Sequence, residues 1–152
     1  MGVPDKTIAQ NRKAYHDYFI EDSLEAGIVL TGTEIKSVRL GHVSIKEAYA
    51  RPDKGELWLN NAHIAKYDPG SYSNHEPLRP RKLLVHRRQL RELNSKVQRR
   101  GFTIIPLKVY ITRGVAKLEL GLGRGKKQYD KRASLAKAES EREVQRALKN
   151  YR

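Results

Sequence analysis

Apolar and polar positions along this chain follow two different periods. Leu107, Val109 and Ile111 alternate with Lys108 and Tyr110, and Leu118, Leu120 and Leu122 alternate with Glu119 and Gly121. That period of two predicts a pair of strands, joined by a turn at Thr112-Arg113-Gly114. Leu90, Leu93 and Val97 instead recur at i, i+3 and i+7, which predicts a helix from about Arg87 to Arg100, ended by Gly101. A shorter helix is predicted over Thr33–Leu40, where Ile35 and Val38 lie one turn apart and Gly41 follows.

The aromatic-rich run Tyr15-His16-Asp17-Tyr18-Phe19-Ile20 and the apolar run Ala26–Leu30 read as β-structure. A turn or bulge at Glu21–Glu25 would let one long strand bend there. Lys46–Arg51 and Glu56–Asn60 flank Pro52-Asp53-Lys54-Gly55, the chemistry of a tight reversal, and predict a hairpin. Tyr67–Asn74 reads as an irregular loop. Short strands with two helices predict a mainly β fold, and the small antiparallel barrel of the oligonucleotide-binding type is the natural candidate. A split mixed sheet with helices on one face is the alternative that periodicity leaves open.

Three segments are expected: a loose N-terminal stretch over residues 1–12, a barrel over 13–123, and a basic hinge and tail over 124–152. Glycines at 121, 123 and 125 let the backbone lie close to a neighbour, and cations follow at once, so this run reads as the hinge. From Asp130 to Arg152 there is no Gly or Pro, but Val144, Ala147, Leu148 and Tyr151 give a seam of only two turns. Such a helix is marginal in water, so the tail is expected to be disordered when free and helical when bound. A helix docked permanently on the body is the other reading.

Composition narrows the partners. The 152 residues carry a formal net charge of +14 and no cysteine. Disulfides, zinc-thiolate sites and thiol catalysis are thereby excluded, and the charge points to nucleic acid. No signal-peptide pattern opens the chain, and no apolar run approaches the ~20 residues that cross a bilayer, so a cytoplasmic location without membrane contact is expected. The five histidines are scattered, without metal-ligand spacing. A phosphate-binding loop requires glycine at 120 and Ser or Thr at 127, where Leu120 and Lys127 stand. Neither an enzyme nor a metal or cofactor site is expected; a metal-dependent nuclease built from scattered His and Asp is the rival class.

Basic residues, by contrast, recur in every segment: Arg12 and Lys13, Lys36 and Arg39, Arg79, Arg81 and Lys82, then Arg87, Arg88, Arg91, Lys96, Arg99 and Arg100 against a single Glu92. Tyr49 and Tyr110 read as barrel residues. Tyr129 sits among cations in the linker and is free to stack on a base.

Five stretches in order now make a resemblance visible. They are Asn11-Arg12-Lys13-Ala14-Tyr15-His16-Asp17-Tyr18, Glu25-Ala26-Gly27-Ile28, Gly32 to Arg39, Arg81-Lys82-Leu83-Leu84, and Gly125-Lys126-Lys127-Gln128-Tyr129-Asp130-Lys131-Arg132. From Asn11 onward the chain resembles the SmpB family of SsrA-binding proteins, the bacterial partners of transfer-messenger RNA. The resemblance implies an oligonucleotide-binding-type barrel with flanking helices, and the free protein is expected to be monomeric. It implies binding to the tRNA-like domain of that RNA and delivery to stalled ribosomes. By position it makes Asn11, Lys13, Glu25, Lys36, Lys82, Leu84 and His86 candidates for the tRNA-like-domain surface. Gly125, Lys126, Lys127, Tyr129, Asp130, Lys131 and Arg132 would lie at the small-subunit decoding centre. The tail, with Leu148, would enter the empty message channel.

Overall fold

A computed structural model describes residues 6–67 and 74–126. Its strands are β1 (Lys6–Gln10), β2 (Tyr18–Ile28), β3 (Val43–Ser44), β4 (Tyr49–Asp53), β5 (Glu56–Asn60), β6 (His63–Ile64), β7 (Arg81–Leu84), β8 (Thr103–Thr112) and β9 (Val115–Gly125). The helices are α1 (Arg12–Asp17), α2 (Gly32–Arg39) and α3 (Arg87–Arg100). The main sheet runs β1-β8-β4-β5-β7-β2-β9, and a further β8–β9 pairing closes it into a barrel to which β1 is added. Every pairing is antiparallel. The protein is therefore mainly β, an oligonucleotide-binding-type barrel with flanking helices.

The two predicted hairpins form as two-residue turns. Asp53 faces Glu56 and Thr112 faces Val115. The residues between them, Lys54-Gly55 and Arg113-Gly114, all have positive φ, the geometry that matches strand twist. β4 starts at Tyr49 rather than Lys46, because Ile45 and Ala48 close a turn of their own and are buried there. The long helix α3 has the predicted bounds. Leu93 is buried, Leu90 and Val97 pack on the core, and Gly101 caps the helix at φ 67°. Helix α2 opens with a capping box, in which Thr31 accepts from the Glu34 amide and Glu34 from the Thr31 amide.

Three expectations are corrected. Tyr15, His16 and Asp17 belong to helix α1, since the Asn11 carboxamide oxygen accepts from the Ala14 amide at 3.1 Å and starts a turn that outweighs the β tendency of the aromatics. The N-terminal stretch is not loose throughout: Lys6–Gln10 pairs with β8, with Ile8 and Ala9 against the core. Two apolar residues are too short a pattern to announce a strand. The hinge expected to start at 124 also falls inside a strand, for β9 pairs with β2 as far as Tyr18↔Gly125. The expected tail, with Lys127, Tyr129, Asp130, Lys131, Arg132 and Leu148, lies outside the described residues, as does most of the 67–74 loop.

Bulges explain the alternating glycines. The register of β2 slips between Ile20 and Asp22, and that of β8 between Pro106 and Lys108. Each slip moves the apolar residues of a strand to its other face. Beyond the slips, Leu24, Ala26 and Val109 fill the barrel with Leu118, Leu120 and Leu122. Before them, Tyr18, Ile20, Ile105 and Leu107 turn outward and form a second small core with Ala14 of α1. Gly121 and Gly123 lie beneath that outer core. A Cβ on Gly121 would stand 2.8 Å from Leu107 Cδ1, and one on Gly123 would stand 3.0 Å from Tyr18 Cβ. The close neighbour of these glycines is the protein itself.

A buried ion pair joins α2 to β7. Glu34 and Arg81 are both fully buried, with Arg81 Nε donating to Glu34 Oε2 at 2.5 Å. Arg79 donates to the other oxygen, and Arg81 also donates to the carbonyls of Ala62, Glu76 and Pro77. Burial pushes the Glu34 carboxyl up, but hydrogen bonds from Arg79, the Thr31 amide and Arg81 outweigh it and hold the group below its ordinary 4.5. His75 completes the region, between the Thr33 hydroxyl and the Ile64 carbonyl at 2.9 Å each.

Two outcomes follow for folding. Gly121→Val, although it raises strand propensity, should lower stability by about 1–3 kcal/mol by overpacking the outer core, read from urea denaturation. Glu34→Gln should cost about 3–5 kcal/mol, since it leaves Arg81 buried without its carboxylate. Because the folded pKa is depressed, the Glu34 contribution is present in full above the unfolded value and lost as pH falls through the folded one. The acid limb of a stability–pH curve should therefore be shallower in Glu34→Gln than in the unaltered protein.

Candidate nucleic-acid interface

The outward faces of β2 and β7 bring three candidates together. Ala26 on β2 and Arg81 and Leu83 on β7 point into the barrel, so Glu25, Gly27, Lys82 and Leu84 point out. Gly27 faces Leu84 across the ladder, and the Val29 amide donates to the Lys82 carbonyl at 3.0 Å. Leu84 is 52 % exposed and Val29 45 %, an apolar pair flanked by Lys82 and Glu25. A side chain at Gly27 would press on Leu84, its Cβ standing 3.3 Å from Leu84 Cβ. Lys82 Nζ rests 3.1 Å from Glu56 on the neighbouring strand, a half-exposed pair that water screens and an incoming phosphate can replace.

Glu25 is held from two sides. Lys117 Nζ lies 2.8 Å from one carboxylate oxygen, and the Tyr110 hydroxyl donates to the other. The hydrogen bond from Lys117, then that from Tyr110, keep the Glu25 carboxyl below its ordinary range. Near neutral pH it is thus an ionised acceptor, suited to a base amino group or a ribose hydroxyl. Tyr110 is a barrel residue, as its position in the strand suggested, but it also steers Glu25. Lys117 was not singled out by sequence; its register opposite both Tyr110 and Gly27 is a long-range fact.

The other candidates separate. His86 is exposed at the start of α3, its amide donating to Gln89 Oε1 at 3.0 Å. Lys36 is exposed on α2 and lies over the Tyr67 ring at 5.4 Å. Lys13, on α1, is exposed and 2.9 Å from Glu47. Asn11 is 2 % exposed, and its carboxamide is spent on the Ile45 and Pro106 carbonyls and the Ala14 amide. It is a structural residue that seats α1 on the barrel, not a free RNA donor. Arg79 and Arg81, two of the expected binding cations, are engaged by Glu34 instead.

Where the described chain ends, Gly125 completes β9. Lys126 then folds back, donating to the Tyr15 carbonyl at 3.1 Å and lying 5.2 Å from the Phe19 ring. Lys126 and Lys13 thus both border α1, away from the β2–β7 face. Arg87, Arg88 and Arg91 are exposed on α3, as expected of a cationic helix face. Among the described residues no three His, Asp or Glu side chains converge on a cation position, and no helix is long and apolar enough to cross a membrane.

Comparison with known proteins agrees with the resemblance over nearly the whole chain. The sequence model of the SmpB protein family matches residues 8–150. An SsrA-binding protein of Shouchella clausii is 56 % identical over 144 residues, covering 95 % of this chain and 92 % of its own. One from Desulfitobacterium hafniense is 54 % identical over 145 residues, covering 95 % and 93 %. Among solved structures, a chain in "tmRNA-SmpB: a journey to the center of the bacterial ribosome" superposes with a TM-score of 0.66 at 52 % identity, covering 78 % of this chain and 83 % of that one. The chain belongs to the SmpB protein family.

Proposed function

We propose that this protein is an RNA adaptor, not an enzyme, which binds the tRNA-like domain of transfer-messenger RNA and delivers it to stalled ribosomes for trans-translation in the cytoplasm. One observation carries the reading: the SmpB family match spans residues 8–150, and the relatives that share more than half of its residues are SsrA-binding proteins. A net charge of +14 suits a partner made of phosphates.

The tRNA-like domain is assigned to the outward face of β2 and β7. Lys82 supplies a phosphate contact, Leu84 an apolar one, and Glu25 an acceptor fixed by Tyr110 and Lys117. His86, Lys36 and Lys13 flank that face, and Asn11 acts through the α1 seat. The arm is assigned to the ribosome: Gly125, Lys126, Lys127, Tyr129, Asp130, Lys131 and Arg132 at the decoding centre, and residues onward, with Leu148, in the message channel. The division between body and arm, placed by sequence after residue 123, is better drawn no earlier than Lys126, which is still anchored to α1.

Two results would test this. A chain ended after Lys126 should keep its preference for the tRNA-like domain over an unrelated structured RNA in competition binding, while tagging of stalled products is abolished. A large loss of affinity would sink the division of labour. Lys82→Ala should shallow the dependence of log K on log salt by about 0.7–0.9, the value of one phosphate contact. An unchanged slope in a filter-binding salt series would remove Lys82 from the contact surface.

A further inference from the structure

The β2–β7 face continues onto two more strands. Lys82 of β7 stands opposite Trp58 of β5, and Trp58 stands opposite Arg51 of β4. Leu57 and Leu59 point into the barrel, so Trp58 points out, as does Arg51 beside the inward Ala50. Directly opposed residues in a ladder have Cβ atoms ~4.5–5.5 Å apart. The outer surface therefore carries one row of cation, indole and cation, joined without a break to the lysine already assigned to RNA.

We propose that the outward face around Trp58 is a nucleobase-stacking subsite, which takes an unpaired base of the RNA held at Lys82 and Leu84. The subsite rests on the RNA-binding reading above and extends it to β4 and β5. A concavity of about 560 Å³ opens there, lined by Arg51, Asp53, Trp58, Asn60 and Pro80, within the ~300–1,000 Å³ usual for a small-ligand site.

What sets Trp58 apart is its place in the row: Tyr15 and Tyr49 are exposed and likewise have no described cation over the ring, but neither stands in a ladder between two cations. Phe19, Tyr67 and Phe102 each already carry a cation over the ring, at 4.7–5.4 Å. Among the described residues no cation lies over Trp58, although two stand beside it. Arg51 forms no ion pair with a described residue, and the Asn60 carboxamide makes no hydrogen bond with one. The row thus offers an uncovered aromatic face, a free guanidinium and an amide that can both donate and accept.

Those groups suit a nucleotide. The indole stacks on any base, Arg51 meets the adjoining phosphate, and Asn60 reads a base edge. Asp53 on the rim repels phosphate and accepts from a base amino group, so it orients the nucleotide with its phosphate toward Arg51. A protein partner is less well matched, because the concavity is bordered by charge and offers one large apolar side chain.

Trp58 is the only tryptophan in the chain, so its emission reports on this face alone. Titration of the full-length protein with the tRNA-like-domain fragment should quench that emission and shield it from acrylamide. Trp58→Leu should weaken binding of the same fragment about 5- to 150-fold, and Trp58→Phe should stay close to the unaltered protein. Native affinity in a folded Trp58→Leu protein, or emission that stays open to acrylamide when RNA is bound, would overturn the subsite. Should Trp58→Leu fail to fold, the quenching and shielding of the unaltered protein decide the matter. Loss of affinity in Lys82→Ala with none in Trp58→Leu removes the subsite and leaves the RNA-binding reading standing. No binding of the fragment by the unaltered protein overturns both.

Discussion

The buried pairing of Glu34 with Arg81 is the constraint on which the exposed interface depends. Helix α2 and strand β7 are far apart in sequence, and they carry Lys36 and Lys82 respectively. One carboxylate holds both. It caps its own helix through Thr31 and takes Arg81 at the start of β7 and Arg79 just before it. Arg81 then reaches the Ala62, Glu76 and Pro77 carbonyls, which fixes the segment that leads into the strand. Charges cost free energy when buried, and here the cost is offset only because the carboxylate and most of the guanidinium find partners. The effect is positional: Lys82 and Leu84 lie one and three residues beyond a side chain held by Glu34 and three backbone carbonyls.

Much of this architecture was legible because it rests on short-range signals. Lys54-Gly55 and Arg113-Gly114 announce reversals, and Leu90, Leu93 and Val97 define α3. Gly32–Arg39 was legible through its cap and its apolar spacing. What escaped were features whose cause lies across the sheet. Ile8 and Ala9 form a strand only because β8 has a free edge. The helix at Arg12–Asp17 is started by an Asn11 carboxamide that also bonds two distant carbonyls. Arg81 looked like a binding cation because its partner stands 47 residues earlier in the chain.

The candidate interface was legible to the same degree. Family likeness pointed to Glu25, Lys82 and Leu84, and their shared outward face follows from strand alternation once the register is known. It pointed equally to Asn11, which the fold consumes internally. Composition argues against an acid at an RNA surface, and chemistry resolves the conflict: with Lys117 and Tyr110 attached, Glu25 is a directed acceptor rather than a diffuse negative charge. Among the described residues, Arg87 and Arg91 are exposed on α3 and Arg51 on β4, whereas Arg79 and Arg81, which look like binding cations in sequence, are spent on the fold.

Strand β2 touches both ends of this arrangement. Tyr18 pairs with Gly125, at the end of β9, and Gly27 pairs with Leu84, at the centre of the outward face. Nine residue steps separate Tyr18 from Gly27, one of them used by the bulge. At about 3.3 Å per residue the two points stand roughly 25–30 Å apart along the strand. The bulge bends the strand, but pairing with β9 on both sides of the bulge fixes that bend, so the strand works as a ruler. The spacing between the candidate face at Leu84 and the end of β9 at Gly125 is thus a fixed length, written into the fold before any partner arrives.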